Sequence, residues 1–169
     1  TVLDAGGGIG DWTERLVMLG HSVTYVDASE RMFARACERF ERIGIASQVH
    51  SFCMDLLAFL TTRHHAFDLV LLEGDILSYV LSPAEVVRAL SDSTSPAALI
   101  TGSVDNLGYY QQIAADTPPT DSGIGALVAM DYAGIGRRFP SRAFSEEHLD
   151  GLFRTSGWEM MDLYGKLVC

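Results

Sequence analysis

The residues whose types and spacing can do chemistry gather at the start of the chain. Thr1, Val2 and Leu3 run into Asp4, and Gly6, Gly8 and Gly10 then alternate along a short loop. Glycine lets backbone pass close to a ligand, because no Cβ intervenes and positive φ is accessible. Asp11, with Glu14 three residues on, reads as the cap of a following helix, so the loop ends at a helix N-terminus. Strand, glycine loop and helix together open a nucleotide-binding α/β unit. A dinucleotide fingerprint counted from Gly6 wants its third glycine at position 11, where Asp11 stands. Acids on both sides of the loop, Asp4 and Asp11, repel a pyrophosphate and suit a ligand with positive charge and no phosphate.

S-adenosylmethionine is such a ligand, with its sulfonium and α-ammonium groups. The run Asp4-Ala5-Gly6-Gly7-Gly8-Ile9-Gly10 resembles the first motif of the class I S-adenosylmethionine-dependent methyltransferases. The alternative is a tight turn that binds nothing. The resemblance implies an ordered set of further cofactor residues. Asp27 ends a second strand over residues 21–27, where an acid accepts both ribose hydroxyls, with Ala28 beside it. Its plainer reading is a helix-start acid favoured by the dipole. Met32, one turn on, stands where the family packs an apolar residue on adenine. Asp55 ends a third strand at 47–55, where an acid accepts from the adenine amino group and the next backbone amide, here that of Leu56, assists. A helix cap is the other reading of Asp55. Glu73, at the end of a fourth strand at 67–74, stands beside the methionine half of the cofactor in the family.

These residues need a scaffold. Helices are expected at 11–19, 30–43, 56–62 and 83–90, separated by strands and stopped by Gly20 and Gly44. Trp12, Leu16 and Leu19 are the expected core face of the first helix, and Met32, Phe33, Ala36, Phe40 and Ile43 that of the second. A fifth strand is expected at 97–104 after a turn at 91–96. Alternating strands and helices imply an α/β fold: a Rossmann-like three-layer sandwich with a mostly parallel sheet and helices on both faces. The chain reads as a single methyltransferase domain over 1–169.

Regularity breaks at 105–142, where glycines and prolines mix with aromatics and the cluster Arg137, Arg138 and Arg142. This reads as a lid-like insertion over the acceptor, with one short helix at 109–115 and otherwise no regular element. Pattern returns with Ser145 as a cap, an apolar helix face of Leu149, Leu152 and Phe153, Gly157 as the stop, and a sixth strand at 158–164. The opening on a core strand without methionine, and the lack of a clear seventh strand, lead to the expectation that the chain is truncated at both ends.

At 169 residues and a formal net charge of −10, the chain can bury a sizeable core and disfavours nucleic acid as a partner. No apolar run reaches the length of a membrane span and no signal peptide is evident. Three cysteines without metal or redox spacing suit a reducing cytoplasm. The adjacent His64 and His65 lack a third ligand, so no metal site is expected.

The function implied is methyl transfer from S-adenosylmethionine to an oxygen or nitrogen nucleophile of a small-molecule acceptor. Asp75, Tyr79, Tyr109 and His148 are candidates to move a proton, unranked by the sequence. A non-catalytic S-adenosylmethionine-binding subunit and an NAD(P)-dependent oxidoreductase are the alternatives.

Overall fold

Val2–Ala5 and Val23–Asp27, rich in β-branched and aromatic residues, form the strands β1 and β2, buried along their whole length. In the computed structural model, which describes residues 1–62, 66–108, 120–121, 125–131 and 138–163, they lie at the centre of a sheet. β3 (Val49–Cys53), β4 (Phe67–Leu72) and β5 (Thr94–Gly102) complete it in the order β3-β2-β1-β4-β5, every pair parallel. The helices α1 (Asp11–Met18), α2 (Glu30–Arg42) and α3 (Leu56–Thr62) connect the first four strands. This is the expected Rossmann-like three-layer α/β fold.

The chain divides into two compact units, and this sheet belongs to the first, Thr1–Ile76 with Asp92–Ser103. Its core joins Val2, Val23, Tyr25 and Val49 of the strands to Leu16 and Val17 of α1 and Ala36 and Phe40 of α2. Each Val, Leu and Phe side chain among them contributes ~1.5–3 kcal/mol by leaving water. Tyr25 and Phe40 meet edge to face, with ring centroids 5.6 Å apart. The face of α1 differs from expectation. Thr13, Leu16 and Val17 are buried, whereas Trp12 and Leu19 are 45% and 74% exposed. The helix starts from Gly10 in a left-handed conformation, with no side-chain cap, so Asp11 is its first residue and not its cap. The α2 boundary falls where the pattern put it, with Ser29 Oγ accepting the Met32 amide at 3.3 Å. β5 begins at Thr94, inside the expected turn, and carries Pro96; it is the last strand of the order, where a proline costs no ladder bond on its outer side.

The second unit comprises Leu77–Ser91 and Val104–Cys169. A short helix α4 (Ile76–Tyr79) leads into it, followed by α5 (Pro83–Asp92). It holds a second sheet of β6 (Asp105–Asn106), β7 (Thr120–Asp121), β8 (Ala126–Asp131) and β9 (Arg138–Phe144), in the order β6-β9-β8-β7. The expectation that 105–142 lacks regular strands is therefore overturned. β8 and β9 pair antiparallel from Ala126↔Ala143 to Asp131↔Arg138, with Pro140 inside β9 opposite Ala129. Leu107, Ala126 and Ala143 form a small core there. At its base Ser141 Oγ donates to Asp105 Oδ2, and the Asp105 amide donates to Ser78 Oγ at 2.9 Å. The expected helix at 109–115 lies outside the described residues, as do Arg137, His64 and His65.

The final helix α6 (Glu146–Arg154) has the expected Ser145 cap. His148 completes it: its amide donates to Ser145 Oγ at 3.2 Å, and its Nδ1 accepts the Ser145 amide at 3.3 Å. Residues 158–163 form no strand, contrary to expectation. Among the described residues, no helix is long and apolar enough to cross a membrane.

Candidate cofactor site

The strand order reverses direction between β1 and β4, and open α/β sheets bind ligands beyond the carboxyl ends of strands at such a switch point. The glycine loop leaves β1 there. The Gly6 and Gly7 amides both donate to the Val26 carbonyl, at 2.7 and 3.2 Å, which ties the loop to the end of β2. Asp27, 8% exposed, then holds it from above: Oδ2 accepts the Gly8 amide at 2.8 Å and Oδ1 accepts the Ser29 amide at 2.8 Å. Each oxygen keeps a second lone-pair direction for another donor. Tyr25, two residues before Asp27 on the same face of β2, donates its hydroxyl to the Gly8 carbonyl at 2.6 Å. Burial pushes its phenol well above the ordinary range, so it stays a donor.

The glycines divide by what surrounds them. A Cβ at Gly6 would collide with Ile76, at Gly7 with the Tyr25 ring 2.6 Å away, and at Gly10 with the Phe40 ring 2.5 Å away. A Cβ at Gly8 would meet no protein atom within 4 Å. Gly6, Gly7 and Gly10 are thus glycines for packing, whereas Gly8 borders open space.

Asp4 lies beneath the loop, 1% exposed, accepting the Thr13 hydroxyl at 2.6 Å. Desolvation raises its pKa, opposed by the Thr13 bonds and helped by the charges of Asp27 and Glu73. The acid on the other side, Asp11, does not stand as a bare charge. Arg39 of α2 bridges Asp11 and, at 2.6 Å, Glu14. The expected repulsion of phosphate by acids flanking the loop is therefore weaker than the sequence suggests. Arg39, Tyr25 and Thr13 are contributors that sequence reasoning missed. Tyr25 alone left a signal, its position two residues before Asp27 in an alternating strand.

All of the expected cofactor residues fall in the first unit. Asp55 is exposed just beyond β3, and its Oδ1 accepts the Ala58 amide at 3.0 Å, so it caps α3. Leu56, the first residue of α3, is buried. Ala28 is exposed, Met32 is 39% exposed at the start of α2, and Glu73 is half-buried after β4. Among the described residues, no group of three His, Cys, Asp or Glu side chains is arranged to hold a metal ion.

The profile of a methyltransferase domain family matches residues 2–96, more than half of the chain. The chain belongs to this methyltransferase family. The sequence resemblance to class I S-adenosylmethionine-dependent methyltransferases is thus met, and S-adenosylmethionine is that family's cofactor. The residues present fit a cationic, phosphate-free group: the Asp27 and Asp4 carboxylates stand at the glycine loop, and a Cβ at Gly8 would meet no protein atom within 4 Å. A curated relative, the tRNA 5-carboxymethoxyuridine methyltransferase of Escherichia coli K12, is 30% identical over 103 residues, covering 59% of this chain and 38% of that protein. The methyltransferase chain thus spans less than half the length of the curated relatives it matches. Among solved structures, an S-adenosylmethionine-dependent methyltransferase from Clostridium acetobutylicum matches 95% of this chain and 74% of its own, with a TM-score of 0.73 and 17% identity. The [4+2]-cyclase SpnF matches 95% of this chain and 52% of its own, with a TM-score of 0.70 and 20% identity. At such identities the likeness is one of fold.

The tRNA methyltransferase overturns the exclusion of nucleic acid that net charge suggested. A chain-wide sum describes no local face, and a nucleic acid meets a face of the protein rather than its total charge.

Proposed function

We propose that the protein transfers a methyl group from S-adenosylmethionine, with the nucleoside of a tRNA as acceptor. The observation that carries the cofactor half is the Asp27–Gly8 arrangement: a nearly buried carboxylate holding the amide of a glycine whose side-chain direction is open. The acceptor half is supported by the printed activity of the curated relative. When bound, the cofactor supplies an electrophilic methyl on sulfonium, a good leaving group.

The chain's own task is then alignment, which can lower a barrier by ~7–11 kcal/mol. In this reading Asp27 accepts the ribose hydroxyls, next to Ala28. Asp55 and the Leu56 amide meet the adenine edge, and Met32 lies along its face. Gly6, Gly8 and Gly10 shape the loop, with Asp4 and Glu73 supplying negative potential. In this reading the whole chain is one methyltransferase domain, and 105–142 is an insertion that selects the acceptor, its two ends tied by the Asp105–Ser141 bond. His148 takes part in its helix cap through Nδ1. The reducing cytoplasm suits the free thiols Cys37 and Cys53.

The deciding experiment incubates the full protein with methyl-labelled S-adenosylmethionine and, separately, bulk tRNA or small-molecule acceptors. Label in tRNA supports the reading. Label only in small molecules replaces the acceptor. Cofactor binding without any S-adenosylhomocysteine formed favours a second reading, a non-catalytic S-adenosylmethionine-binding subunit or a chain of this fold that does other chemistry, a reading supported by the fold it shares with a [4+2]-cyclase. Affinity for NAD(P) in place of the methyl donor would favour the oxidoreductase.

A further inference from the structure

β4 ends in a turn that L-amino acids disfavour. Gly74 has φ 80°, and Asp75 has φ 61°, the one positive value at a non-glycine among the described residues. Two consecutive left-handed residues at a strand end need something to hold them. Ser103, just past the end of β5, does so: its Oγ accepts the Gly74 amide at 3.2 Å and the Asp75 amide at 3.1 Å. Those two donors occupy both lone pairs of the hydroxyl. Gly102 makes the approach possible, since a Cβ there would stand 2.6 Å from the Leu72 carbonyl oxygen. The Ser103 amide in turn donates to that carbonyl at 3.3 Å. Immediately after the turn comes Ile76, whose side chain fills the space a Cβ on Gly6 would need.

We infer that Ser103 is a positioning residue for the cofactor site: its hydroxyl pins the left-handed Gly74-Asp75 turn, and the pinned turn seats Ile76 against Gly6 and fixes where Glu73 stands. The inference rests on the cofactor reading above. A rigid turn holds the glycine loop in its ligand-ready form, and a loose one must be ordered on binding, which weakens affinity.

The test uses the full chain, S-adenosylhomocysteine calorimetry and amide exchange at Gly74 and Asp75 without ligand. Ser103→Ala should speed exchange at both amides and lower affinity about tenfold, as expected for two lost hydrogen bonds. Ser103→Thr, which keeps the hydroxyl, should behave as wild type. Adding Asp75→Gly to Ser103→Ala should recover most of the affinity, because glycine takes the left-handed conformation without strain. A merely structural serine would lower the melting temperature in Ser103→Ala without that recovery. Unchanged exchange and affinity in Ser103→Ala overturn the inference; if that variant does not fold, Ser103→Cys, a weak acceptor, is read by the same criteria. A wild-type protein that binds no S-adenosylhomocysteine defeats the cofactor reading, and the exchange arm identifies that failure by still separating Ser103→Ala from wild type.

Discussion

Asp27 Oδ2 accepts the Gly8 amide at 2.8 Å, so the acid at the end of β2 fixes the central glycine of the loop that leaves β1. The same carboxylate holds the Ser29 amide through its other oxygen, which ties the start of α2 to the same point. The Asp27 side chain thus organises the loop before any ligand arrives.

Asp27→Asn separates the two oxygens. Its carbonyl replaces one acceptor, but its NH2 group faces the other amide as a second donor. A buried donor left unmatched costs about 1–3 kcal/mol. Thermal denaturation should show that loss, and calorimetry should show cofactor affinity falling at least about tenfold as a charged acceptor disappears. A folded variant with wild-type affinity would take Asp27 out of the site.

The glycines give a sharper division. Gly10→Ala brings a Cβ against the Phe40 ring, so it should destabilise the fold. Gly8→Ala meets no protein atom within 4 Å and carries only the left-handed penalty, roughly 1–2 kcal/mol. It should fold, and Gly8→Val should fold while losing cofactor binding, since only a ligand occupies that direction. Normal binding by a folded Gly8→Val would make the loop a structural turn.

Asp55 tests whether one carboxylate does two things. Its Oδ1 caps α3 through the Ala58 amide, and a serine can take over that cap. Asp55→Ser should therefore keep stability within about 1 kcal/mol while weakening binding of the adenosyl cofactor. An analogue lacking the adenine amino group should lose little. Equal losses for both ligands, or none, would leave Asp55 as a cap alone.

The first unit was legible because its signals are local and periodic. Ser29, Gly44, the strand of Tyr25 and the run into Glu73 each declare their own structure, and parallel topology follows from their alternation. What the residues did not declare was pairing across sequence distance. Arg39 bridges Asp11 and Glu14 from another helix, which no spacing rule reveals. Trp12 and Leu19 looked like a core face because apolar period was counted without knowing which side the sheet would cover. The pairing of β8 with β9 was hidden for a similar reason: Pro140 reads as a strand breaker yet stands inside β9 opposite Ala129, a partner no local pattern reveals. Tyr25 read as a strand former, and its bond to the Gly8 carbonyl follows from tertiary placement.

Asp4 yields a prediction about pH and charge together. Burial raises its carboxyl pKa, so between the unfolded value of 3.8 and the higher native value the folded state binds more protons than the unfolded one. Stability therefore falls as pH rises through that window, and above it the full cost of a buried carboxylate persists. Asp4→Asn keeps an oxygen for the Thr13 hydroxyl and removes the charge. The variant should melt higher than wild type at neutral pH, and the difference should shrink toward zero as pH falls below the unfolded value. A costly charge retained beneath a binding loop fits a functional use. S-adenosylmethionine is cationic at sulfur and S-adenosylhomocysteine is not, so the carboxylate should favour the former. Asp4→Asn should then weaken S-adenosylmethionine more than S-adenosylhomocysteine, measured by calorimetry on both ligands. If the variant melts higher yet loses affinity equally for the two, the charge of Asp4 is not directed at the sulfonium, and its part in the site reduces to holding Thr13 and the start of α1.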